Sequence, residues 1–222
     1  MEEKFRIRSF GRIKSRKLSD NKKNTIKNIL PQYQIKIEKD KIINFPTNDK
    51  KNILEIGFGS GEQITNLSIK NENFNFIGCE TYINGVISLI DKIKQNDIKN
   101  IQIFNNDARI LLEKIPDNSL YEIFILFPDP WPKKKQNKRR IINEEFLKLI
   151  EKKLENNGVL FFASDIFNYV EWTYDIAKNI FSPLFNDFEQ CKNDPDWWVK
   201  TKYQTKAIKA GRQCYFLRFK KR

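Results

Sequence analysis

An α/β domain with a mostly parallel sheet and helices on both faces is the fold class this sequence predicts, and three observations carry it. Short apolar runs alternate with stretches of helical pattern roughly 10–15 residues long, the spacing of strand–helix–strand units. A glycine-rich turn, Gly57-Phe58-Gly59-Ser60-Gly61, follows the first of those runs and opens a helical stretch. Acidic residues recur where successive runs end, at Glu55, Glu80, Asp107 and Asp129. With 222 residues, 40% hydrophobic and 13% aromatic, the chain is long enough for one such domain with a buried core.

The elements follow in order. Residues 1–45, rich in Lys, Arg and Asn, show little pattern before Thr25–Leu30 and read as a basic N-terminal extension with one short helix. Residues 46–222 read as one domain without internal repeats. Ile53–Ile56 is a buried strand and Gly61 opens a helix; Phe74–Glu80 is the second strand, with a helix over Ile83–Gln95. Ile101–Phe104 is the third strand. Tyr121–Phe127 is the fourth and most apolar, with a helix over Glu144–Leu154. Asn157-Gly158 turns the chain into a fifth strand, Val159–Ala163, followed by a helix over Tyr169–Phe181. Gln213–Phe219 alternates as a last strand.

The formal charge of +13 is unevenly placed. Residues 1–30 carry +7, residues 133–140 carry +6 and residues 197–222 carry +9, which leaves −9 on the rest of the chain. An acidic body with three basic segments is the footprint of a polyanion partner, nucleic acid before an anionic membrane surface. No run reaches the ~18 apolar residues of a membrane span, and the start lacks the regions of a signal peptide, so a cytoplasmic protein is expected. Cys79, Cys191 and Cys214 are far apart and without metal-ligand spacing; they read as buried thiols, and no metal site is expected. There is no histidine, so the chemistry must proceed without the commonest general base.

The glycines at positions 57, 59 and 61 let the backbone turn tightly and approach a ligand closely. A dinucleotide fingerprint would place its last glycine where Glu62 stands, and a pyrophosphate would sit poorly beside that carboxylate, which disfavours a nicotinamide cofactor. The spacing resembles instead the first motif of the Rossmann-like methyltransferases that use S-adenosyl-L-methionine, whose sulfonium and ammonium groups acidic residues favour. In such a site Glu80 can accept from ribose hydroxyls and Asp107 from an adenine amino group. Ligands of these sheets bind outside the carboxyl ends of the strands, where Glu55, Glu80, Asp107 and Asp129 all fall.

Pro128-Asp129-Pro130-Trp131-Pro132 closes the fourth strand, and Lys133-Lys134-Lys135-Gln136-Asn137-Lys138-Arg139-Arg140 follows directly. The prolines fix φ and restrict their neighbours, so Asp129 and Trp131 project in a preset geometry beside a phosphate-binding strip. Trp131 reads either as a stacking surface for an extruded base or as a core residue. Trp197-Trp198 reads as an anchor for the C-terminal strand rather than an RNA-stacking pair.

With these residues in view, the chain resembles the tRNA (guanine-N7-)-methyltransferase family of the bacterial single-chain type. The motifs are Arg8-Ser9-Phe10, the Glu55–Gly61 turn, Asn106-Asp107-Ala108, Pro128–Pro132 with its basic run, Ser164-Asp165 and Thr201-Lys202-Tyr203. The resemblance implies a class I S-adenosyl-L-methionine-dependent methyltransferase domain with a seven-stranded sheet. It implies methyl transfer to N7 of a guanosine in the tRNA variable loop, at position 46. By the same resemblance, the cofactor is held by Glu55, Glu80, Asp107 and Asp129 around the Gly57, Gly59 and Gly61 turn, with Asp129 also catalytic. Substrate contacts fall to Lys133, Asp165, Thr201, Lys202, Tyr203 and Gln204, and RNA contacts to Lys135, Gln136, Asn137, Lys138, Arg139 and Arg140. The implied partner is tRNA, without membrane or metal, for a monomer or homodimer. Two positions depart from the family: Gln204 stands where Glu is usual, and Gln136-Asn137 occupy a stretch that usually holds histidine. Guanine N7 bears a lone pair and no proton, so its methylation needs no general base and suits a chain without histidine. The competing readings are a methyltransferase of another RNA base or a protein side chain, and a non-catalytic RNA-binding module.

Overall fold

A computed structural model describes residues 11, 17–38, 41–43, 45–46 and 48–222. Arg8-Ser9-Phe10 lies outside the described residues. The chain enters as α1 (Asp20–Asn24), a π-helical turn (Thr25–Ile29) and α2 (Leu30–Tyr33), then a hairpin of β1 (Lys36–Glu38) and β2 (Lys41–Ile43). The α/β alternation runs β3 (Lys51–Ile56), α3 (Glu62–Lys70), β4 (Phe74–Cys79), α4 (Ile83–Gln95), β5 (Ile101–Phe104), α5 (Ala108–Lys114) and β6 (Leu120–Leu126). It ends with a 3-10 turn (Lys134–Arg139), α6 (Glu144–Lys153), β7 (Leu154–Ser164), α7 (Phe167–Ala177), β8 (Phe181–Pro183), α8 (Lys202–Lys209) and β9 (Tyr215–Lys221).

The sheet has seven strands in the order β5-β4-β3-β6-β7-β9-β8, and only β9 runs against the others. The order reverses between β3 and β6, and that switch point opens the cleft in which ligands of such sheets bind. β3 and β6 are buried along nearly their whole length, which is why they read as unbroken apolar runs rather than alternating ones. Two cores cover the faces. Leu111, Phe146, Ile150, Tyr169 and Val170 belong to the one under α5, α6 and α7; Ile64, Leu67, Val86, Leu89 and Ile90 belong to the one under α3 and α4. Part of the basic extension joins these cores. Leu30 and Ile35 are buried, and the amide of Ile35 donates to the carbonyl of Ile103 on edge strand β5 at 2.8 Å.

The structure corrects the sequence reading at short elements. α5 and β8 are seven and three residues long, too short for periodicity to register, and Phe181, expected in a helix, lies in the edge strand β8. Asn157-Gly158 does not precede the fifth strand but sits inside β7, at the register shift opposite Leu120 and Glu122. A Cβ on Gly158 would lie 2.9 Å from the carbonyl oxygen of Glu155 and 3.1 Å from that of Tyr121, so a side chain at this irregularity would force the backbone to shift. The sequence pattern does not announce α8; Thr201 caps it, its side chain accepting from the Gln204 amide at 3.2 Å.

Candidate active site

A cavity of about 320 Å³ opens at the carboxyl ends of β3, β4, β5 and β6. Of the expected site residues it collects Gly57, Gly59, Glu80, Asp107, Asp129 and Tyr203. From the expected RNA strip it also takes Lys138, Arg139 and Arg140, and it adds Trp131, Tyr82, Arg109 and Gly11.

The floor is the glycine turn. Gly57, Gly59 and Gly61 all have positive φ, at 74°, 58° and 78°, a backbone that L side chains rarely adopt. Gly61 then caps α3, and a Cβ there would lie 2.8 Å from Leu89, so the turn also needs glycine to pack against α4. Gly85 on α4 meets the same demand from the other side: a Cβ on it would come within 2.2 Å of the Gly59 carbonyl oxygen. The sequence motifs do not include Gly85, and its only signal there is a glycine inside a helical pattern.

Glu80 ties the turn to β4. Its Oε2 accepts from the Gly59 amide at 2.9 Å and its Oε1 from the Tyr82 amide at 2.8 Å. Burial raises its pKa, and those backbone amides counter part of the rise. Asp107 caps α5 through the Arg109 amide, at 3.0 Å, and forms a two-pronged ion pair with the Arg109 guanidinium, at 2.9 and 2.7 Å.

Glu55 does not line the cavity. It is 4% exposed beneath the glycine turn, and its Oε2 has no hydrogen-bond partner among the described residues. Burial above all, with the nearby Glu62 charge second, raises its carboxyl well above the ordinary carboxylate range. The folded chain thus keeps a proton that the unfolded chain releases, so Glu55 lowers stability as pH rises from the ordinary value, about 4.3, towards the raised one. Glu55→Gln should remove that decline, which costs about 1.4 kcal/mol per pH unit within the window. Melting temperatures of the two proteins measured across pH 4–8 check it; parallel curves would show that Glu55 is ionised in the fold.

Asp129 stands at the mouth, past the end of β6, and partial burial raises its carboxyl. The turn that carries it is strained: Phe127 and Trp131, both bulky, have φ of 48° and 43°. Such residues cost about 1–3 kcal/mol each and persist where the surroundings hold them. The Phe127 amide donates to the Ala163 carbonyl at 2.8 Å, and Arg140 holds the far side. Arg140 is 3% exposed, its Nε donating to the Pro130 carbonyl at 2.9 Å and its Nη2 to Asn168 Oδ1 at 2.8 Å. Its guanidinium lies against the rings of Tyr169 and Trp172, 4.7 and 5.3 Å from their centroids. Arg140 therefore leaves the expected RNA strip: turned inward, it braces the turn. Lys133, Lys134, Lys135 and Lys138 remain exposed, with Gln136, Asn137 and Arg139 half-buried. Trp131 is half-buried at the cavity wall rather than in either core, with the Arg139 guanidinium 4.9 Å from its ring centroid.

The C-terminal part closes the other wall. Trp197 and Trp198 pack on Phe124, Phe161 and Phe216, as anchors do. Tyr203 faces the cavity, its hydroxyl pKa raised by burial and by the Glu80 and Asp129 charges. Lys202 Nζ donates to Ser60 Oγ at 2.8 Å. Asp165, just past β7, lies outside the lining and pairs with Arg212 at 2.7 Å. Gln204 is buried and also outside it. Among the described residues no group of three or more His, Cys, Asp or Glu side chains could hold a metal ion, and no helix is long and apolar enough to cross a membrane.

Residues 49–217 match the family model described as "Putative methyltransferase". The chain is 39% identical to a tRNA (guanine-N(7)-)-methyltransferase of Wolbachia pipientis over 88% of its own length and 86% of that protein's. It is 38% identical to another of that name from Buchnera aphidicola, over 97% and 90%. The chain belongs to the tRNA (guanine-N(7)-)-methyltransferase family. A protein called bifunctional methyltransferase in Rickettsia conorii shares 43% identity over 95% of this chain, which spans only 39% of that longer protein. Among solved structures, a 16S rRNA (adenine(1408)-N(1))-methyltransferase from Catenulisporales acidiphilia aligns over 84% of this chain and 97% of its own, with a TM-score of 0.53 and 10% identity. An antibiotic-related methyltransferase aligns over 94% and 96%, with a TM-score of 0.51 and 18% identity. The fold is that of the class I methyltransferases.

Proposed function

We propose that this chain transfers the methyl group of S-adenosyl-L-methionine to N7 of a guanosine in the variable loop of tRNA, at position 46, in the cytoplasm. The observation that carries the reading is Asp129 at the end of β6, on the wall of a cavity whose floor is the glycine turn and whose rim is the basic 3-10 turn. The cavity fits the cofactor in its chemistry: three successive strand ends place Glu80, Asp107 and Asp129 around it, and the Gly57 backbone is open to close approach. When bound, the cofactor supplies an electrophilic methyl on a sulfonium centre. Glu80 and Asp107 would hold it, with Glu55 supporting the turn from below.

The chain's own part is electrostatic and positional. Attack by N7 leaves the purine cationic, and the Asp129 carboxylate favours that charge more in the transition state than in the ground state. The Asp129 carboxylate can also accept from the N1–H and exocyclic amine of guanine, turning N7 towards the methyl, whereas Asp165 lies outside the lining and is held by Arg212. Trp131 offers a face on which an extruded base can stack. Phosphates are met by Lys133, Lys134, Lys135 and Lys138, so recognition rests on the shape of the folded RNA. Mass spectrometry of bulk tRNA incubated with the protein and S-adenosyl-L-methionine is the test. A new methyl at guanine N7 in the variable loop is expected, and a methyl on another base or on protein alone would overturn the assignment.

A further inference from the structure

Residues 194–204 form a strap that crosses α3 and ends on the glycine turn. Asn66 Nδ2 donates to the carbonyl of Trp197 at 3.1 Å, and the Val199 amide donates to the buried Gln63 Oε1 at 3.1 Å. At the end of the strap, the first turn of α8 sets Lys202 on Ser60 and the ring of Tyr203 over Gly59, where an added Cβ would be 3.3 Å from Tyr203 Cε2. What fixes that first turn is Gln204, 1% exposed. Its Oε1 accepts from Trp198 Nε1 at 2.6 Å, and its Nε2 donates to Asp194 Oδ1 at 2.6 Å. The two partners make opposite demands, a donor indole and an acceptor carboxylate, and a side-chain amide meets both. A glutamate in place of Gln204 would satisfy Trp198 and set two carboxylates against each other.

We propose that Gln204 is a positioning residue that contacts no substrate. It reads Trp198 and Asp194 together, and so holds Tyr203 and Lys202 on the cofactor turn. This rests on the reading of the cavity as the S-adenosyl-L-methionine site. The geometry makes Gln204 and Asp194 a matched pair, so the identity of one dictates what is tolerated at the other.

The test is a double-mutant cycle on the full chain with Gln204→Glu, Asp194→Asn and both together, reading cofactor affinity by calorimetry without tRNA and the melting temperature of each protein. Gln204→Glu should weaken S-adenosyl-L-methionine binding by about tenfold or more and lower the melting temperature, because it buries an unmatched charge. Adding Asp194→Asn gives the introduced carboxylate a donor, and both readouts should return to within about twofold and a few degrees of the parent. Unchanged cofactor affinity in Gln204→Glu would overturn the proposal. So would a double variant as impaired as Gln204→Glu, because the introduced carboxylate would then act without reference to Asp194. Should Gln204→Glu fail to fold, the folded double variant with parental affinity still decides for the pair, and its failure decides against it. A parent that binds no S-adenosyl-L-methionine would sink the cofactor reading instead, while the melting temperatures would still report the Gln204–Asp194 coupling.

Discussion

Asp129→Asn should cut single-turnover methylation of tRNA by about a hundred- to a thousand-fold, the loss seen when one preorganised electrostatic partner of a transition state is removed. Cofactor affinity and melting temperature should stay close to the parent's, because Asp129 stands at the cavity mouth and belongs to neither core. The amide keeps the shape and much of the hydrogen bonding to guanine but not the charge that a cationic purine needs. The pH dependence gives an independent reading. Partial burial raises the Asp129 carboxyl, so the parent's rate should fall on acidification at a higher pH than an ordinary aspartate, near 3.9, would set. The variant should lack that limb. Near-parental turnover in the variant would assign the charge stabilisation to another residue.

How much of this site can be read in the sequence depends on whether a residue's role is local. The glycine turn is legible because each of its glycines serves a positive φ, and only glycine does that cheaply. The acids at strand ends are legible because strand period and turn chemistry place them. Phe127 and Trp131 are not: nothing local tells a phenylalanine or a tryptophan to adopt positive φ, and the amide of Phe127 is held by Ala163 on β7. Charge runs conceal direction in the same way. Arg140 looks like one more cation in an RNA strip until Asn168, Tyr169 and Trp172 on α7 supply a buried seat for its guanidinium. Gln204 looks like a substrate contact by its place beside Tyr203, and its burial is decided by Asp194 and Trp198. In each case the missing information lies in partners that approach across the fold.

That distinction makes the basic segment divisible by experiment. Replacing Lys133, Lys134, Lys135 and Lys138 together by glutamine should weaken tRNA binding and flatten the slope of log K against log salt by about 3, at ~0.7–0.9 for each phosphate no longer neutralised. The melting temperature should be unchanged, because all four lysines are on the surface and their removal leaves no buried partner unpaired. Arg140→Gln should do the reverse. It leaves the salt slope alone, but strips the Pro130 carbonyl and Asn168 of a charged donor and lowers stability by about 1–3 kcal/mol in denaturant titration. Turnover should drop with it, since the turn that carries Asp129 loses its brace. A salt slope that survives the four lysine replacements would move the RNA to another basic face, and one that collapses with Arg140 alone would return that residue to the strip.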